Sequence, residues 1–148
     1  MKLQPEQLAS LEKIAATSGI LDLSDRCIYD EDLPKIIEDV NASKNITTLI
    51  LRQNNIRDNQ HILGRLMNIL VLDLSYNNIS DVVLSVLFSA TSKLQEINLS
   101  CNAIHDNGAQ TVLAYARTHT FFRANLKNNS ITDPELIAEA KGISRVTI

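Results

Sequence analysis

Catalysis needs a nucleophile, a base or a metal held in mutual reach, and this 148-residue chain has two cysteines, three histidines and seventeen carboxylates from which to build one. The closest pairing is Cys101 with His105. The intervening Asn102 and Ile104 belong to a predicted turn that sends the imidazole elsewhere, so no thiolate–imidazole couple is expected. His61 and His119 fall on predicted helical or loop segments as surface residues. Cys27 and Cys101 are too few for a disulfide framework and lack metal-ligand spacing, which fits a reducing compartment. No G-x-x-x-x-G-K-[ST] or G-x-G-x-x-G element is present to cradle phosphate. A row of five aspartates, Asp30, Asp58, Asp81, Asp106 and Asp133, could suggest calcium. Each stands two residues past an Ile and just before a helical-period stretch, where Asp is a favoured N-cap, and all five are assigned to helix capping. The expectation is a protein with no catalysis of its own, no cofactor and no metal.

Composition narrows the partner. Hydrophobic residues are 45% and charged residues 21%, near globular averages, and the length suits one domain. No apolar run approaches the roughly 20 residues of a membrane span, and the start, Met1 to Glu6, lacks an apolar signal core. A cytoplasmic protein is expected, and the Asn-x-Ser/Thr triplets at Asn41, Asn45, Asn78, Asn98 and Asn128 are then without meaning. The net charge of −3 lacks the basic excess of a nucleic-acid binder, and 4% aromatics without Trp offer no stacking platform. Neither nucleic acid nor membrane is an expected partner.

One pattern, LxLxxNxIxD, organises the chain. Its copies run Leu21 to Asp30, Leu49 to Asp58, Leu72 to Asp81, Ile97 to Asp106 and Ala124 to Asp133. An apolar residue three positions earlier, Ile46, Ile69, Leu94 and Phe121, extends four of them, while Ser18 breaks the first. Ile143, Val146 and Ile148 fit the strand of a sixth copy. The alternating apolar residues predict short strands whose Leu positions are buried only when neighbouring coils stack. Asn54, Asn77, Asn102 and Asn129 recur where each strand turns away, and an amide that donates and accepts can satisfy backbone groups of two coils there. Arg26 takes that place in copy one, with Cys27 beside it as a slipped substitute. The connecting segments carry helical faces: Leu33, Ile36, Ile37, Val40; Val83, Leu84, Leu87, Phe88; Val112, Leu113, Ala116; Leu136, Ile137, Ala140. The shortest copy has room only for a short helix around Gln60 to Leu66. Ahead of the repeats, Leu8, Leu11, Ile14 and Ala15 share one face of a helix that would cap the first coil.

These copies resemble leucine-rich repeats over about residues 18 to 148. The stretch Leu94 to Ala116, L-Q-E-I-N-L-S-C-N-A-I-H-D-N-G-A-Q-T-V-L-A-Y-A, is similar to the ribonuclease-inhibitor-like subfamily. The resemblance implies an α/β fold: a right-handed solenoid with a concave parallel sheet of about six short strands and helices on the convex side. The expected organisation is one domain, with a capping helix in 1–18, five repeats in 19–142 and a sixth strand in 143–148. A bare edge strand at 143–148 would invite self-association. A small free-standing module of this kind also resembles repeat effectors of intracellular bacteria, which act in the host cytosol.

Residues between the buried Leu positions face outward on the concave side. The expected contact set is Ile50, Arg52, Leu70, Val71, Asp73, Tyr76, Glu96, Asn98, Phe122, Arg123, Asn125, Lys127 and Arg145. Acidic groups lie toward the first coils and Arg123, Lys127 and Arg145 toward the last, around a centre of Ile50, Val71 and Tyr76, which is how protein hot spots are arranged. Six strands by five residues span only about 400 Å², against about 800 Å² per partner in a standard complex, so the loops at the strand ends must contribute. The expected function is recognition of a folded protein, most concretely an enzyme blocked by occlusion of its active site. Alternatives are a GTPase-activating or other catalytic accessory, tested through Arg52, and a scaffold or sensor fragment of a longer repeat protein.

Overall fold

A computed structural model describes residues 4–58, 61–90 and 93–148. The chain climbs as a solenoid in which each coil lays one strand beside the last. The strands are β1 (Ile20–Asp22), β2 (Thr48–Ile50), β3 (Val71–Asp73), β4 (Glu96–Asn98), β5 (Arg123–Asn125) and β6 (Val146–Thr147). All pair in parallel in sequence order, in registers such as Leu49↔Leu72, Leu72↔Ile97 and Ile97↔Ala124. Helices α1 (Pro5–Ser18), α2 (Leu33–Ala42), α3 (Asp81–Ala90), α4 (Asp106–Thr118) and α5 (Pro134–Gly142) complete the coils. The short helix expected around Gln60 to Leu66 is a 3-10 turn over Ile62–Arg65; Gln60 itself lies outside the described residues.

Stacking makes the core. Leu21, Leu49, Leu72 and Ile97, the following Leu23, Leu51, Leu74 and Leu99, and then Ile28, Ile56, Ile79 and Ile104 form three buried columns through the solenoid. Each such side chain contributes about 1.5–3 kcal/mol relative to exposure, and none could be covered by its own coil alone. At the N-terminal end, α1 lays Leu8 and Ala15 on the first coil, whereas Ile14 points to solvent at 65% exposure. Gly19 ends α1 with φ 76°, and its N–H donates to the Ala15 carbonyl at 2.7 Å. A β-carbon there would sit 3.2 Å from the Asn45 carbonyl as well as strain the backbone.

The Asn column stitches successive coils. Asn77 Oδ1 accepts from the Ile56 N–H of the preceding coil, while its Nδ2 donates to the carbonyls of Leu51 and of its own Leu74. Asn102 and Asn129 repeat this pattern on Ile79 and Ile104. Asn54 does more: its Oδ1 accepts from both Arg26 and Ile28, which supplies the turn where copy one has no Asn. Cys27 has no part in that substitution; its backbone is left-handed (φ 52°) and its thiol is free.

The aspartate row corrects the capping expectation. Asp133 does cap α5, accepting from Glu135 and Leu136 N–H. Asp58, fully buried, accepts from Ile62 and Leu63 at the 3-10 turn. Asp30, Asp81 and Asp106 instead reach into the next coil: Asp30 accepts from Arg57 and Asp58, Asp81 from His105, and Asp106 from Thr132 and Asp133. The reason is position. Asp81 and Asp106 are already the first residues of their helices, and Asp30 opens a 3-10 turn, so their carboxylates face the exposed N–H groups of the coil above.

One register detail also differs. Phe121 was expected inward and Phe122 outward; Phe122 is buried and Phe121 is 86% exposed. The longer α4 of this coil ends in a turn closed by Phe122 N–H on the His119 carbonyl, which puts the inward position one residue later, with Phe122 in an aromatic cluster with Phe88 and Tyr115.

Candidate functional site

The concave face is built from the residues that flank the buried middle position of each strand, aligned by the parallel register. Across its centre run Asp22, Ile50, Asp73, Asn98, Asn125 and Thr147. Four of these close the strand ends themselves. Asp73 Oδ1 accepts from the Ser75 N–H and hydroxyl at 2.8 and 2.6 Å, Asp22 does the same with Ser24, Asn98 with Ser100, and Asn125 accepts from the Lys127 N–H. Ser75 and Ser100 are thereby buried instead of facing outward. Asn98 Nδ2 also donates to Asp73 Oδ2 at 3.3 Å, joining β3 to β4.

Past the strands, Asp25, Gln53, Tyr76, Cys101 and Asn128 all adopt φ between 54° and 58°. This left-handed column, one residue before the Asn position, was not anticipated from sequence. Asp25 and Asn128 are types that tolerate it, but Gln53, Tyr76 and Cys101 hide the signal, because the turn geometry overrides residue preference. The result is that Tyr76 stands out half-exposed, with the Arg52 guanidinium 5.0 Å from its ring centroid. Contact with the Cys101 thiol pushes the Tyr76 phenol above its usual range, and Asn128 Nδ2 reaches the same sulfur at 3.5 Å.

The predicted contact residues divide three ways. Arg52, Tyr76, Glu96, Arg123 and Lys127 are exposed, and Ile50, Val71, Asp73, Asn98 and Asn125 are half-buried on the same face. Glu96, Asn98, Arg123, Asn125, Arg145 and Thr147 line a polar hollow of about 510 Å³ over β4 to β6. Leu70 sits apart, half-buried at the other edge of the sheet in a hollow of about 380 Å³ shared with Lys93, His119 and Phe121. Two residues leave the set. Phe122 belongs to the core, and Arg145 spends its guanidinium on the carbonyls of Ala116, His119 and Phe122, neutralising the carbonyl end of α4.

Among the described residues no three His, Cys, Asp or Glu side chains are placed to hold a metal ion, and no helix is long and apolar enough to cross a membrane. A family model described as Leucine Rich repeat matches residues 65–87 and 92–113, the copies that carry β3 and β4. No curated protein matches the sequence. Leucine-rich repeats generally serve as protein-interaction modules. With two matched copies inside a sheet of six parallel strands backed by helices, the fold is that of a leucine-rich-repeat solenoid.

Proposed function

We propose that this solenoid binds a folded partner protein through its concave face and the loops at the strand ends, and that the partner is an enzyme whose active site it covers. The observation that carries the reading is the exposed Arg52–Tyr76 stack beside half-buried Ile50 and Val71, flanked by exposed Glu96 and Arg123 on adjacent strands. An apolar and aromatic centre excludes water, and charges around it set orientation and association rate. The acidic side is Asp22, Asp25, Asp73 and Glu96, and the basic side is now Arg123 and Lys127, Arg145 being engaged by backbone. A partner with the opposite polarity is favoured. Likeness of Leu94 to Ala116 to ribonuclease-inhibitor-like repeats supports occlusion as the mode, and the free thiols of Cys27 and Cys101 support action in a reducing cytosol, including a host cytosol for a translocated effector.

The test is capture from the native lysate with the chain as bait beside a Val71→Glu/Tyr76→Ala double variant of matched circular dichroism. A stoichiometric partner lost with the variant, and an enzyme activity of that partner suppressed by the unaltered chain alone, is the expected result. Retention of the same partner by the variant would move binding to another surface.

A further inference from the structure

Where the chain enters β3, β4 and β5, the edge of the sheet carries an apolar surface outside the concave face. A hollow of about 380 Å³ opens there, with Leu70, Leu94 and Phe121 among the side chains that line it. Phe121, at 86%, is the most exposed large hydrophobic residue among those described. It stands in solvent because the turn after α4 sends Phe122 into the core in its place. Three lining residues, Leu70, Gln95 and Phe122, directly precede the strand residues Val71, Glu96 and Arg123, so the hollow adjoins the concave face. Backbone bonds fix that relation: the Leu70 carbonyl accepts from Gln95 and Glu96 N–H at 2.8 and 3.0 Å, and the Gln95 carbonyl from Arg123 N–H at 2.8 Å. Lys93 brings charge to the rim, and its ammonium donates to the neutral Asn68 amide oxygen at 3.1 Å. None of the lining side chains is a carboxylate; Glu96 lines the separate hollow over β4 to β6.

We propose that this hollow receives, from the partner protein, a large apolar side chain with a carboxylate residue directly beside it in sequence. The apolar group packs against Leu70 and Phe121, and the carboxylate meets Lys93. The inference rests on the concave-face reading and extends it. Area is the first reason: the sheet offers only about 400 Å² of the about 800 Å² per partner in a standard complex, and an aromatic side chain such as Phe121 adds about 150 Å² or more when covered. Charge is the second. A cation on a rim without carboxylates favours an anionic neighbour to the apolar group and disfavours a cationic one. An apolar anchor bounded by charge is also the arrangement in which a few residues carry most of the binding.

The experiment is amide NMR of the full chain titrated at neutral pH with the end-blocked peptide Gly-Gly-Phe-Glu-Gly-Gly, beside versions carrying Phe-Lys and Gly-Glu at the centre. The expected result is saturable shifts at Leu70, Lys93 and Phe121 with a Kd of about 1 mM for the Phe-Glu peptide, and binding about fivefold weaker for Phe-Lys. The Gly-Glu peptide should not saturate. Phe121→Ser, a change at an exposed position, should abolish saturable binding, and Lys93→Gln should bind the two Phe peptides alike. Val71→Glu/Tyr76→Ala should bind the Phe-Glu peptide as the parent does, so failure of this inference shows in the titration and failure of the concave-face reading shows in capture with that variant. Equal binding of the two Phe peptides by the unaltered chain, or no saturable shift at these residues, would overturn the proposal. So would shifts at Leu70 and Phe121 that grow with the concentration of the chain itself, which would make a second copy the occupant.

Discussion

At the scale of single residues, Glu12 is a group whose ionisation folding strongly alters. Burial raises its carboxyl first, the negative charge and hydrogen bond of Asp39 raise it further, and Lys35 opposes them, with the balance at about 7 against 4.5 in the free side chain. A carboxyl whose value is raised in the folded state binds its proton more tightly there. The associated stability is complete below pH 4.5 and is lost as pH climbs from 4.5 to 7. Allowing for solvent screening, the loss is about 1 kcal/mol. Glu12→Gln should remove that slope and leave the protein more stable than the parent at pH 8 by a similar amount, read from urea unfolding midpoints at pH 5 and pH 8. A parent whose midpoint does not fall between those values contradicts the assignment.

At the scale of elements, Asp81, which reaches into the next coil, depends on room made by a glycine. In α4, a β-carbon on Gly108 would lie 2.4 Å from Asp81 Oδ1 and 2.7 Å from the buried Ile104 Cγ2. Asp81 is there to accept the His105 N–H at 2.7 Å. Replacing glycine by alanine in a helix ordinarily stabilises by about 1 kcal/mol. Here Gly108→Ala should instead destabilise by about 1–2 kcal/mol, because it displaces a carboxylate from a backbone donor and presses on a packed methyl. The pairing with Asp81→Ala checks the mechanism: once the carboxylate is absent, the cost of Gly108→Ala should shrink in a double-mutant cycle. Additive costs would show that the clash lies with Ile104 alone.

At the scale of the whole molecule, the solenoid was legible because its repeat is written in large residues with nothing else to do. Leu at alternate positions, Asn at the turn and a helical face behind leave one way for coils to stack, and the strand register follows. What was not legible depends on neighbours in space. Asp30, Asp81 and Asp106 face the next coil, a fact invisible within one copy; Phe122 moves inward because α4 of its own coil is long; the Arg145 guanidinium is drawn onto three carbonyls that only the fold brings together. The same nearest-neighbour logic predicts how the molecule comes apart. Each inner coil is held on two sides by columns of Leu and Ile and by an Asn that bonds both itself and the coil before it, whereas β6 is a two-residue strand bonded on one side to β5. Native-state hydrogen exchange should therefore show a gradient: slowest at the amides of Leu51 and Leu74, which donate to the next strand inside the array, and fastest at Ala124 and Leu126, whose acceptors are the carbonyls of Arg145, just before β6, and Thr147 on it. Asn54→Ala, which removes an acceptor shared by Arg26 and Ile28 and a donor to Leu23, Leu51 and Arg52, should accelerate exchange in the first two coils while leaving Ala124 and Leu126 nearly unchanged. Uniform acceleration along the chain would mean that the coils unfold as one cooperative unit and that the stacking is not transmitted coil by coil.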